Sequence, residues 1–170
     1  MPRPELRSER LVLVRQTREA VLALLSGEDC GLLLAEGYPH ADTLDGLRLG
    51  VEHGGPEAAG WFVTLAEDGR VIGDCGTHGW VDDEGRVEIG YGLAAPWRGR
   101  GYGTEAVTAL VDWVAAQPAV RVVEASVEVG NETSRRLLER LGFTLTGERD
   151  VQDQVGADRH WHLVLSLIHI

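Results

Sequence analysis

The chain has no lysine: all 16 of its Lys and Arg positions are arginine. A Walker-type phosphate loop needs a lysine after its last glycine, so that chemistry is excluded. Cysteine is nearly as scarce. Cys30 and Cys75 are too few for a disulfide framework and lack the spacing of metal ligands, so no metal is expected. No apolar run approaches a membrane span, and the first residues show no signal-peptide pattern. A cytoplasmic protein without a membrane partner is the expectation. No Gly-x-Ser-x-Gly elbow occurs, which removes support for a serine hydrolase. No repeat or low-complexity linker divides the 170 residues, so one domain over 1–170 with a substantial core is expected. Positive charge is in deficit as well. The formal net charge of −11 argues against a nucleic-acid partner and suits a cationic one.

What the chain does have is glycine in one telling place. Arg98-Gly99-Arg100-Gly101-Tyr102-Gly103-Thr104 separates an apparent strand, Val87–Leu93, from an apparent helix. In that helix Ala106, Val107, Leu110, Val111 and Val114 recur at helical spacing, and Pro118 stops it. Glycines at alternate positions let the backbone turn sharply and point successive N–H groups into one concavity. Such a nest at a helix N-terminus attracts phosphate, and the flanking Arg98 and Arg100 can add charge-assisted bonds. Gly101-Tyr102-Gly103-Thr104-Glu105-Ala106 also matches a dinucleotide fingerprint, with Glu124 at a plausible distance for a ribose ligand. That fingerprint should begin where its strand ends, in the first unit of a doubly wound sheet. Here Ala94 to Arg100 intervene and other strands precede, so the spacing argues against it.

The remaining pattern is coarse but ordered. Arg10–Arg15 reads as a strand, and Thr17–Ser26 as a helix capped by Thr17 and stopped at Gly27. A second helix is predicted over Asp42–Glu52. Trp61–Ala66 and Val71–Cys75 form a hairpin across Glu67-Asp68-Gly69. Gly54-Gly55-Pro56 marks a loop. Val122–Val127 is a strand, a helix begins near Asn131, and Phe143–Arg149 and His160–Leu165 are the last strands. A meander followed by strands alternating with helices gives an α/β fold with a mixed sheet and helices on both faces. Trp61, Trp113 and Trp161 are expected in the core, while Trp80, Trp97 and Tyr38 are candidates to line a pocket. His160-x-His162 would share a strand face, but lacks a third metal ligand.

Three motifs in order resemble the GNAT superfamily of acetyl-CoA-dependent N-acetyltransferases. Arg98-x-x-Gly101-x-Gly103 is similar to its pyrophosphate loop, and Glu88–Leu93 to its fourth strand. Asn131–Phe143 resembles its later helix and the turn that follows. The opening Leu6–Leu13 resembles the Rim-type subgroup that acetylates ribosomal-protein N-termini. The resemblance implies a mostly antiparallel mixed sheet of about six to seven strands and acetyl-CoA as cosubstrate. It assigns cofactor contacts to Arg98, Gly99, Arg100, Gly101, Tyr102, Gly103 and Thr104, and to Asn131 and Ser134 on the pantetheine side. Backbone N–H groups of Tyr91 to Leu93 would stabilise the developing oxyanion. Glu88 stands where several members place a catalytic glutamate, and is the expected proton acceptor from the amine. Its alternative is a carboxylate merely paired with Arg86 or Arg121. Asn131 could equally be a helix cap. Where many members carry a tyrosine as general acid, this chain has Leu138. A homodimer is compatible with all of this.

Acceptor identity rests on thinner signals. Between Glu28 and Gly60, seven acids (Glu28, Asp29, Glu36, Asp42, Asp45, Glu52, Glu57) face one arginine, Arg48. In the family this segment forms much of the acceptor wall, so a cationic small-molecule amine, such as an aminoglycoside, is the leading expectation. N-terminal acetylation of a protein or peptide is the alternative, and a non-catalytic acyl-CoA-binding module is the third. Finally, Leu165-Ser166-Leu167-Ile168-His169-Ile170 resembles one reading frame of a transposon-derived sequencing adapter. Two of the four isoleucines fall in the last three positions. A non-native tail over 165–170 is therefore expected, with a genuine final strand over Trp161–Leu167 as the alternative.

Overall fold

Alternation along the strands sorts the apolar side chains into two layers. In β3 (Gly60–Leu65), Trp61 and Val63 enter one cluster while Phe62 enters another. In β4 (Val71–His78), Ile72 joins Trp61 and Val71 joins Phe62. Neighbouring residues of a strand point to opposite faces, so the two clusters lie on opposite sides of one sheet. The computed structural model describes residues 5–53, 59–152 and 159–168. Glu57, the Gly54-Gly55-Pro56 loop, His169 and Ile170 lie outside the described residues, as do the side chains of His160, Trp161 and His162.

Helices cover both faces. α1 (Arg18–Ser26) and α2 (Ala41–His53) supply Val21, Leu24 and Leu47 to the Phe62 cluster. α3 (Tyr102–Ala115) supplies Ala106, Val107, Leu110, Val111 and Val114 to the Trp61 cluster, and α4 (Glu132–Arg140) adds Leu138. The ends of α1 follow their residues. Thr17 Oγ1 accepts the Ala20 N–H at 3.2 Å, and Gly27 closes the helix at φ 71°, where a side chain would be strained. Trp113 meets Trp61 edge to face at 4.9 Å, and Trp80 stacks on Trp113 at 5.9 Å. Trp80 is thus a support of the α3 face rather than a pocket wall.

The remaining strands are β1 (Leu6–Arg7), β2 (Leu11–Arg15), β5 (Arg86–Leu93), β6 (Val122–Glu128), β7 (Thr144–Gln152) and β8 (Arg159–Ile168). They join one 8-stranded sheet in the order β1-β2-β3-β4-β5-β6-β8-β7. The two-residue β1 is the strand that the sequence pattern does not signal, being too short to show alternation. Every pairing is antiparallel except β5 with β6. β8 continues through Ser166, Leu167 and Ile168, pairing Ile168 with Val122, and it buries Leu165 and Ser166.

The parallel β5–β6 pair positions everything that follows. It runs from Arg86 opposite Val122 only as far as Ile89 opposite Ala125. Beyond that point β5 stays with β4, to Leu93 opposite Gly73, while β6 stays with β8, to Glu128 opposite His162. The sheet therefore opens between Gly90–Leu93 and Ser126–Glu128.

Candidate active site

The glycine stretch forms a cradle made of backbone. A single 3-10 turn over Ala95–Trp97 carries the chain out of β5, and Gly99 and Gly101 then adopt left-handed conformations at φ 72° and 83°. Gly101 is the N-cap of α3 and offers no side-chain cap. The first helical bond above it runs from Glu105 N–H to Gly101 O, which leaves the N–H groups of Tyr102, Gly103 and Thr104 without a backbone partner among the described residues. Gly103 must be small, because a Cβ there would stand 3.2 Å from Leu137 of α4. The cradle fits a phosphate: backbone donors, a positive helix end and the Arg10 guanidinium beside Gly101.

The two arginines of the stretch behave differently from simple phosphate ligands. Arg98 Nε donates to Leu93 O at 2.8 Å, tying the loop to the end of β5. Arg100 lies over the Trp97 ring at 5.4 Å. A third arginine, which the sequence pattern does not single out, does more to shape the loop. Arg10, from the β1–β2 turn, donates to Arg100 O at 3.1 Å, lies 4.4 Å over the Tyr102 ring and pairs with Glu105 at 2.8 Å. Ser8 Oγ also donates to Glu105 at 2.6 Å. Burial pushes the Glu105 carboxyl up, but Ser8 and Arg10 outweigh it and hold the pKa below its usual value.

The sides of the opening in the sheet are also assigned. Tyr91 and Leu93 point to the α3 face and pack against that core. The Tyr91 hydroxyl donates to Ser134 O at 3.4 Å, and burial raises its pKa, so the phenol stays protonated at neutral pH. Asn131 accepts the Ser134 N–H at 3.2 Å and is the N-cap of α4. Leu138 is 0% exposed and belongs to the α3–α4 core.

Glu88, Gly90 and Gly92 point to the opposite face, in register with His78, Gly76 and Asp74 of β4. Glu88 does not pair with Arg86 or Arg121, as its bland alternative supposed. Its Oε2 accepts from Arg149 Nη1 of β7 at 3.1 Å, and Oε1 lies 3.8 Å from His78 Nδ1. His78 first, then Ser126 and Arg149, hold the carboxyl down at about 2 against the opposing effect of burial. Ser126 Oγ is buried at the edge of the opening and makes no hydrogen bond of ordinary length among the described residues. Arg86 instead pairs with Glu84 and reaches Glu124 at 4.0 Å.

A second polar cluster sits farther along the same face. The buried Tyr38 donates its hydroxyl to Asp74 Oδ2 at 3.1 Å, so Tyr38 supports a carboxylate rather than lining open space. Burial raises the Asp74 carboxyl to about 6, with Thr43 and Tyr38 acting in the opposite direction. Thr43 Oγ1 lies 3.0 Å from His40 Nδ1. The His40 pKa is lowered, by burial first and then by Arg98, with Asp42 opposing. Among the described residues no group of acids, histidines and cysteines could hold a metal ion.

Residues 16–144 match the model of the acetyltransferase (GNAT) domain. The chain belongs to the GNAT family. Among curated GNAT relatives, the uncharacterised N-acetyltransferase YjdG of Bacillus subtilis is 32% identical over 85 residues, covering 50% of this chain and 51% of the relative. The chain spans about half the length of the first curated relatives it matches. In fold it is similar to the ribosomal-protein-S5-alanine acetyltransferase of Vibrio fischeri, with TM-score 0.69, 18% identity and coverage of 98% and 97%. The microcin C7 self-immunity acetyltransferase MccE, solved with acetyl-CoA and AMP, gives TM-score 0.67, 17% identity and coverage of 95% and 93%.

Proposed function

We propose that this GNAT protein transfers acetyl from acetyl-CoA to the N-terminal amine of a peptide or protein. The cradle at Gly99–Thr104 would hold the pyrophosphate, and the pantetheine arm would lie in the opening between Gly90–Leu93 and Ser126–Glu128. Bound there, acetyl-CoA supplies an activated acyl thioester. The free edge of β5 supplies N–H groups where negative charge would develop. Asn131 and Ser134 stand at the α4 side of that opening.

The observation that carries the choice of acceptor is an open cleft lined by both signs of charge, with arginine in excess. α1 and α2 cover the β3–β4 part of their face, and a cleft of about 450 Å³ lies on its β6–β8–β7 part. Arg86, Arg149, Glu124, Thr146 and Ser166 line it. Both signs of charge and hydroxyl donors suit a peptide backbone better than a polycation. The acids of the Glu28–Glu52 segment take no part in it, and Asp45 is already paired with Arg48 at 2.8 Å. An aminoglycoside remains the competing acceptor because of that acidic segment.

The test is release of CoA thiol with three acceptor sets: peptides with free N-termini, aminoglycosides and linear polyamines. Turnover with peptides alone is expected. Turnover with aminoglycosides alone would replace this reading by the cationic one. Binding of acetyl-CoA with no release would leave a non-catalytic acyl-CoA-binding module.

A further inference from the structure

Two imidazole rings lie on β5 where side chains are missing. A Cβ on Gly90 would stand 2.6 Å from His78 Nε2, and one on Gly92 would stand 3.7 Å from His40. The His78 ring therefore rests on the backbone at the first β5 residue past its last pair with β6. That is the point where the sheet opens. Its other nitrogen, Nδ1, faces Glu88 Oε1 at 3.8 Å, and Glu88 is anchored from β7 by Arg149 at 3.1 Å.

Resting on the acetyltransferase reading above, we propose that His78 Nε2 takes the proton from the acceptor amine and that Glu88 is the residue positioning its ring. A carboxylate facing Nδ1 favours the tautomer with the proton on that nitrogen, leaving the lone pair on Nε2, the nitrogen that lies beside Gly90 where the sheet opens. Glu88 suits this role better than that of proton acceptor. With its carboxyl held at about 2, it stays ionised near neutrality and steadies an imidazolium, but has little proton affinity of its own. The 3.8 Å separation is long for a hydrogen bond, as catalytic pairs often are before substrate binds. The charged groups around the ring are Glu88 on β5 and, behind it, Arg149 on β7. Glu124 of β6 lies next in the row, and His40, just ahead of α2, covers the next glycine on that face, Gly92.

The step balances. An ammonium gives one proton to His78 Nε2, and its freed lone pair forms the N–C bond to the thioester carbon. The C–S bond breaks with its electron pair on sulfur. The surplus proton still on nitrogen passes to that sulfur, giving amide and thiol, and His78 returns its proton to solvent.

Four proteins test this: the wild type, His78→Gln, Glu88→Gln and the double variant. Each is assayed for CoA-thiol release with a synthetic hexapeptide bearing a free N-terminal alanine, and for acetyl-CoA affinity by calorimetry. Ring-nitrogen NMR shifts of the histidines, which report which nitrogen carries the proton, supply a readout independent of turnover. His78→Gln should lower kcat about 100-fold with acetyl-CoA affinity unchanged. Glu88→Gln should lower it about tenfold, and the double variant should be no worse than His78→Gln alone. In the wild type the His78 ring proton should sit on Nδ1, and in Glu88→Gln that preference should be lost. Activity of His78→Gln within twofold of wild type, multiplying losses in the double variant, or an unchanged tautomer in Glu88→Gln would each overturn the proposal while leaving the acetyltransferase reading intact. A wild type that binds acetyl-CoA but acetylates neither peptide, aminoglycoside nor polyamine would end both.

Discussion

The two sides of β5 are built by different means. On the α3 side, the glycine cradle is made from consecutive residues, Gly99 to Thr104, through backbone donors and left-handed glycines. On the opposite side, the polar row is assembled from His78, Glu88, Ser126 and Arg149, which come from β4, β5, β6 and β7. A site made of local backbone writes itself into a few adjacent letters. A site made of side chains from separate strands leaves no local pattern, because only sheet register brings its members together.

The sharpest way to break that comparison is to fill the cradle. Gly101→Val and Gly103→Val should each weaken acetyl-CoA binding by about 100-fold or more, read by calorimetry. The first places a β-branched residue at φ 83° and the second forces a side chain against Leu137. Retained affinity would mean that the loop is not the phosphate site.

On the other side, Asp74 gives a large pH signal. Its carboxyl is raised from an unfolded value of 3.8 to about 6, so the native state holds the proton more tightly than the unfolded chain. Its contribution to stability is therefore greatest in acid and declines as pH rises from about 4 to about 6, by roughly 3 kcal/mol. Urea unfolding across that range should show the decline, and Asp74→Asn should flatten it, since an amide oxygen can still accept from Tyr38.

Gly90→Ala sharpens the contrast at a single atom. The new methyl would stand 2.6 Å from His78 Nε2 and displace that ring. Turnover should drop about tenfold while acetyl-CoA affinity stays within twofold. The smallest effect is expected for Arg10→Ala. Losing the pair with the partly exposed Glu105 and the contact with Tyr102 should cost about 1 kcal/mol by thermal unfolding, with a few-fold loss of acetyl-CoA affinity.

Legibility from sequence follows the same division. The Thr17 and Gly27 caps, the Glu67–Gly69 hairpin and the α3 apolar stripe all depend on residues within one turn or one helix face, and all stand where the pattern placed them. The cradle was equally legible. Arg10 was not, because its contact with Arg100 spans 90 positions of chain. His78 was not either: at the end of β4 it looks like any exposed strand terminus until Gly90 is set beneath it. Asn131 shows the limit of a motif, since capping α4 and contacting a cofactor call for the same residue type.

The placement of β8 has a consequence for synthesis. The strand made after β7 lies between β6 and β7, and among the described residues β7 bonds to no other strand. As the chain leaves the ribosome, β6 and β7 must both wait with open edges until Arg159–Ile168 emerges to join them. The nascent protein is thus exposed to mispairing for as long as β7 exists without β8, and pausing between the two would lengthen that exposure.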